Sequence, residues 1–382
     1  MKTIYYWAPF ISKIATVKAV INSVLSLSYY SNYNYHIKII NAIGEWDKEL
    51  IHRKELSLIN INKNNFYSKL PRYGFVKSRI SYLFIYLKSF FPLLFLLKKN
   101  KPDFLIVHLI TSLPLTLLLL FKFNTKFILR ISGLPKLNFF RKFLWKCVSR
   151  KIYLITCPTV ATLHYLQHEN IFSHEKLIYL PDPIIDIKEY IKKVKDVNLI
   201  EKNFNKEKSL LAIGRLTNQK NFIFLIKCFK KLSEEYDYLN LFIIGDGEEK
   251  KILLDLINNL NLGSKVFLLG HKDNVFNYLN NCKCFLLTSL WEDPGFVLVE
   301  AGIANATVIS SNCPNGPEEI LENGKNGFIF ESNSIESFIS SFNRFINTKE
   351  EDLKIKKINL KKRIRLFTKF NHYKILNNYL IK

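Results

Sequence analysis

The sequence predicts an α/β protein built from two doubly wound parallel-sheet domains. Short apolar runs end in glycine or polar turns and are followed by stretches with helical apolar spacing, the alternation that builds parallel sheets. The 382 residues exceed what one compact core usually holds, so two domains are expected. A lysine-rich stretch without periodicity follows Pro181-Asp182-Pro183, as an interdomain linker would. The expected division is a first domain at 1–190, a linker at 191–207, a second domain at 208–349 and a basic helical tail at 350–382.

In the first domain, strands are predicted at residues 3–7, 36–41, 104–108, 126–131, 152–157 and 176–180, with helices between them. The segment 104–121 runs eighteen residues without Lys, Arg, Asp or Glu, close to the length of a membrane span. His108, Thr111, Ser112 and Pro114 interrupt it, so it reads as a strand, 104–108, and then a buried helix, 113–121. In the second domain strands are predicted at 209–213, 241–244, 266–269, 284–290 and 307–311.

Net charge is +24, and it is uneven. Residues 1–190 hold 27 Lys and Arg against 10 Asp and Glu, and residues 191–382 hold 29 against 22. A basic, aromatic half fits nucleic acid or an anionic membrane surface. Zinc-finger spacing, an RNP-type aromatic run and a basic region joined to heptads are all missing, so nucleic acid is not expected as a partner. In 82–101, lysines instead interleave with Phe84, Leu87, Phe90, Phe91 and Phe95, which suits a segment lying among lipid headgroups. The six cysteines form no Cys-x-x-Cys pair and read as reduced thiols of a cytosolic protein. Residues 3–7 look like a first strand rather than part of a secretory leader. The expected location is therefore cytoplasmic, peripheral on the inner membrane.

Two blocks carry the chemistry. In the first, the strand 284–290 delivers Glu292 to the carboxyl edge of a sheet, where open α/β folds bind ligands. Asp293 fits an N-cap and Pro294 a first helical position, leaving the backbone N–H groups near Gly295, Phe296 and Val297 as an anion site. Glu300, eight positions after Glu292, is expected about two turns into that helix. In the second block, the strand 209–213 ends in Gly214-Arg215-Leu216 and is followed by Lys220-Asn221. Glycine at a strand end lets backbone approach a ligand, Arg215 offers a bidentate fork, and Lys220 a point charge for phosphate oxygens.

Taken together, Ser-Leu-Trp-Glu292, Gly295, Glu300-Ala301, the strand 307–311, Cys-Pro-Asn-Gly-Pro-Glu-Glu and Gly214-Arg215-Leu216…Lys220-Asn221 resemble the carboxyl-terminal domain of the retaining glycosyltransferases of family 4. Asp293-Pro294 stands where Gly-Phe is commonest in that family. The resemblance is motif-specific from about 211 to 328. It implies the GT-B architecture, two Rossmann-like domains facing across a cleft. It further implies that Glu292 faces the donor sugar, Glu300 holds the ribose hydroxyls, and Arg215 and Lys220 clamp the diphosphate. Gly245-Asp246-Gly247-Glu248 resembles the family's turn beside the nucleotide, and Gly270-His271 the neighbourhood of the base. The implied donor is a nucleotide-diphosphate sugar, a UDP-sugar, and the acceptor a glycan or lipid-linked chain in capsule, O-antigen or exopolysaccharide synthesis. No cofactor or metal is expected, and the sequence holds no Asp-x-Asp.

In the first domain, Lys13 is a candidate phosphate contact, and His108 resembles a histidine near the reacting centre of some relatives. Arg130-Ile-Ser132-Gly133 is read as a polar turn beside the cleft. The tail is expected to cross back to the first domain, as in similar two-domain transferases. Two other readings share these features: a nucleotide-sugar 2-epimerase of the same architecture, and a non-catalytic basic protein of membrane surfaces.

Overall fold

A computed structural model describes residues 1–11, 15–32, 34–50, 53, 55–71, 75–196 and 200–381. The chain divides into two compact units, Met1–Pro183 with Lys369–Lys382, and Ile184–Thr368. The boundary falls before the predicted linker. The helix Ile187–Lys195, whose start is capped by the Asp186 side chain, takes in the first five residues of that stretch. Tyr190 packs edge-on against Phe276 of the second unit, with ring centroids 5.0 Å apart. The tail splits as well. Glu350–Arg363 stays with the second unit, where Leu360 is buried. Lys369–Leu380 joins the first, burying His372, Leu376 and Leu380.

The first unit is organised around β1 (Lys2–Trp7), β2 (Tyr35–Asn41), β3 (Leu58–Asn60), β4 (Phe104–Val107), β5 (Lys126–Arg130), β6 (Leu154–Cys157) and β7 (Leu177–Tyr179), in the order β3-β2-β1-β4-β5-β6-β7. All pairings are parallel. β4 and β6 are buried along their whole length, as a sheet covered on both faces requires. β3 was not predicted, because three residues at a sheet edge carry no readable alternation. After β4 comes the helix Ser112–Leu120, with Leu113, Leu115, Leu117 and Leu118 buried, so the apolar run 104–121 forms a strand and a largely buried helix as expected, with Leu120 at its end 60% exposed.

The second unit holds β8 (Ser209–Ile213), β9 (Asn240–Ile244), β10 (Val266–Leu268), β11 (Cys284–Leu287), β12 (Val308–Ser311) and β13 (Phe328–Phe330), ordered β10-β9-β8-β11-β12-β13 and again parallel. Winding reverses between β1 and β4 in one sheet and between β8 and β11 in the other. Ligands of doubly wound sheets bind outside the carboxyl ends of strands at such a reversal. Both chemical blocks found in the sequence follow β8 and β11.

Candidate active site

The loop after β8 is fastened to its neighbour before it reaches the site. Gly214 N–H donates to the Ile244 carbonyl at 2.9 Å and Leu216 N–H to that of Asp246 at 3.0 Å. A Cβ built on Gly214 would stand 2.9 Å from Lys220 Cγ, so the missing side chain makes room for the Lys220 stem. Lys220 ends a short turn, Asn218–Lys220. Asn221 then starts the helix Phe222–Glu235, with Phe222, Leu225, Ile226 and Phe229 buried. The apolar stripe of that helix thus fixes the position of the lysine ahead of it.

After β11 the chain leaves the sheet at Thr288, three residues earlier than predicted. Glu292 follows, only 4% exposed. Its Oε1 accepts from Ser289 Oγ at 2.6 Å and pairs with the Lys220 ammonium. Its N–H donates to the Pro314 carbonyl at 3.1 Å, and Ser311 Oγ donates to the Ser289 carbonyl at 2.8 Å. The glutamate is therefore held from three segments. A carboxylate and an ammonium this far from water stabilise each other chiefly because each would be costly alone.

Arg215 is exposed, and its Nη2 donates to Gln219 Oε1 at 3.2 Å. Gln219 in turn donates Nε2 to the Trp291 carbonyl at 2.9 Å, and its own carbonyl accepts from Leu290 N–H at 2.8 Å. Gln219 therefore ties the arginine's loop to the glutamate's.

Asp293 and Pro294 do not open the next helix as predicted. The helix is Phe296–Ile303, and its N-cap is Gly295 at φ +96°. Asp293 Oδ1 accepts from Asn315 Nδ2 at 2.6 Å, and a Cβ on Gly316 would stand 1.9 Å from the Pro294 carbonyl oxygen. Held against that turn, the segment leaves the first helical residue to follow glycine, whose left-handed backbone other residues adopt at a cost. Leu298 N–H returns to the Gly295 carbonyl at 3.0 Å. Phe296 and Val297 thus supply first-turn N–H groups that a helix cannot satisfy from within. Glu300 is half-buried and lies one turn along this helix, nearer its start than expected.

Arg215, Lys220 and Glu292 are joined directly or through Gln219, a Cβ on Gly295 would stand 3.5 Å from Glu292 Cγ, and Glu300 shares the helix that Gly295 caps. Sequence reasoning missed Gln219, Ser289 and Ser311. The available signal was polar pairs, Thr288-Ser289 and Ser310-Ser311, closing apolar strands. It also missed two buried oxygens, Thr217 Oγ1 and Glu249 Oε2, which lack a hydrogen-bond partner among the described residues. Burial and the neighbouring Glu248 raise the Glu249 carboxyl pKa.

His108 belongs to the first unit, beyond β4. It is 4% exposed, lies 5.7 Å from the Tyr6 ring, and lines a small pocket where Ser23, Arg130, Asp182 and His372 meet apolar Ile106, Ile128, Leu180 and Leu376. Burial first, then the charge of Arg130, holds its pKa well below the ordinary histidine range. Where the sequence suggested a residue at the site edge, the structure places a neutral imidazole inside the unit. Arg130, read as part of a polar turn beside the cleft, is likewise buried and bonds Asp182, Nε to Oδ1 at 2.9 Å. Lys13 lies outside the described residues.

A family model described as glycosyl transferases group 1 matches residues 194–362. An uncharacterized glycosyltransferase of Methanocaldococcus jannaschii is 32% identical over 303 residues, 75% of this chain and 71% of that protein. The chain belongs to the group 1 glycosyltransferases. In the same comparison this glycosyltransferase is 27% identical over 293 residues to the UDP-Gal:alpha-D-GlcNAc-diphosphoundecaprenol alpha-1,3-galactosyltransferase of Escherichia coli, 69% of this chain and 71% of that one. Among solved structures, Anabaena HepE in complex with UDP superposes with a TM-score of 0.73 at 14% identity, covering 100% of this chain and 99% of that one. That likeness is one of fold, and the glycosyltransferase has the GT-B architecture.

Proposed function

We propose that this glycosyltransferase moves a sugar, with anomeric configuration retained, from a UDP-sugar to a lipid-linked or glycan acceptor in bacterial surface-polysaccharide synthesis at the cytoplasmic membrane face. The observation that carries the reading is the Lys220–Glu292 pair, which joins the two sequence blocks at the winding reversal of the second sheet. As the bond from the anomeric carbon to the diphosphate breaks, negative charge grows on the leaving oxygens. Lys220 has donors left after meeting Glu292, and Arg215 presents a fork to solvent. The N–H groups of Phe296 and Val297 add the positive end of a helix. Groups preset to meet developing charge lower the barrier because they need no reorganisation. Glu292 orients the sugar, and Glu300 accepts from the ribose hydroxyls. No metal takes part in the proposed step.

The UDP donor and lipid-linked acceptor are supported by the Escherichia coli relative, a UDP-Gal:alpha-D-GlcNAc-diphosphoundecaprenol galactosyltransferase, and by the UDP held in the Anabaena structure. The test is a screen of nucleotide sugars against total lipid-linked glycan with mass-spectrometric readout. Incorporation of one hexose or N-acetylhexosamine, lost in Glu300→Ala, is the expected result. Release of an epimerised free sugar without any acceptor would overturn it.

A further inference from the structure

The helix Phe75–Asn100 is apolar on both sides, and within 78–100 only Ser81, Ile85, Ser89, Leu93, Leu94 and Leu97 are buried. Ile85, Leu93 and Leu97 face the core of the first unit, while Leu87, Phe91 and Phe95 are 61–66% exposed. It packs beside the helix Ser112–Leu120, which packs beside the helix Phe139–Val148. There Phe139 and Phe140 are 77% and 79% exposed and Phe143 59%. In each row one pair of rings is stacked: Phe91 on Phe95, and Phe139 on Phe143. Monomeric proteins rarely leave such rows in water. Between Glu55 and Glu169 the sequence carries eighteen Lys and Arg and one acid, Asp103. That acid is occupied by the Thr3 N–H at 2.7 Å.

We infer that these two rows are a docking face for an anionic lipid bilayer, phenylalanines entering the acyl boundary and the surrounding cations meeting lipid phosphates. A soluble polyanion would use the cations and gain little from exposed rings. A second copy of a chain at +24 would bring like charges together around the same face. A bilayer satisfies both kinds of group. One side of helix 75–100 is locked into the core, so the helix lies on the membrane rather than crossing it. The inference rests on the proposed function only in placing the reaction at a lipid surface. Its test needs no donor and no turnover, so either reading can fail alone.

Flotation of the full chain with vesicles of phosphatidylcholine containing about one third phosphatidylglycerol is the experiment. Wild type is expected to float with them and to float poorly with phosphatidylcholine alone. Phe139→Ser/Phe140→Ser and Phe91→Ser/Phe95→Ser are each expected to lower partitioning about tenfold. Ile355→Ser/Ile358→Ser, on exposed positions of the second unit, should leave it unchanged. Wild type that stays unbound, variants that bind as wild type does, or a dimer that Phe139→Ser/Phe140→Ser dissolves would each overturn the inference.

Discussion

The two sheets share an all-parallel order and a central winding reversal, yet their carboxyl edges are built differently. Beyond β8 and β11, Lys220 and Glu292 pair at the rim with side chains 13% and 6% exposed, and Arg215 stands in solvent beside them. Beyond β4 and β5, Arg130 and Asp182 pair at 6% and 3%. They are roofed by the returning helix, whose His372 bonds Ser23 Oγ at 2.8 Å and the Pro181 carbonyl at 3.0 Å. Topology nominates an edge for binding, but only polar groups left with unspent donors and an open side make it a site. The first edge spends its charges on each other, beneath the returning helix.

That contrast breaks most readily at Asp182. Asp182→Ala leaves Arg130 charged and buried, a change that costs about 3–5 kcal/mol, measurable by urea unfolding. A loss under about 1 kcal/mol would show that the cluster is not what closes this edge. Next is Lys220→Met, expected to lower kcat/KM by about 10²–10³ through lost charge stabilisation and to destabilise the second unit by stranding Glu292. Lys220→Met/Glu292→Leu should recover the stability but not the turnover. Recovery of both would deny the pair its chemical role.

The first edge is also expected to respond to pH. Burial lowers the His372 pKa from 6.5 to about 4. Folded protein therefore keeps this ring neutral where the unfolded chain takes up a proton. Its contribution is whole above pH 6.5 and is lost as pH falls from 6.5 towards 4, by roughly 3 kcal/mol. His108, lowered for the same reason, acts in the same direction. His372→Gln should flatten the wild-type slope in that window, and an unchanged slope would argue against a neutral buried ring. The smallest effect belongs to Gly295→Ala, about 1–2 kcal/mol of stability for a side chain forced into left-handed backbone, read as a fall in Tm.

Much of this was legible in the sequence because it is local. Short apolar runs ending in glycine or polar turns located the strands of both sheets, apart from Leu58–Asn60 and Phe328–Phe330, and the two motif blocks put Gly214, Arg215, Lys220, Glu292 and Glu300 beyond the strands of one sheet. What escaped depends on contacts between distant segments. Asp293-Pro294 carries the local signals of a helix start, but the Asn315-Gly316 turn presses on it and moves the start to Phe296. Gln219 looks like any loop amide until Trp291 and Leu290 are brought against it. His108 and Arg130 end their strands as site residues do. Only the returning tail, with His372, shows that they face inward, and nothing in a basic helical pattern says where along 350–382 the chain changes units.

Whether cations on the second sheet's edge grip a diphosphate is decided by calorimetric titration with UDP and with uridine. Wild type is expected to bind UDP at least about tenfold more tightly than uridine. Arg215→Ala should remove most of that difference while leaving uridine affinity unchanged. Equal affinity of wild type and Arg215→Ala for UDP would contradict the account.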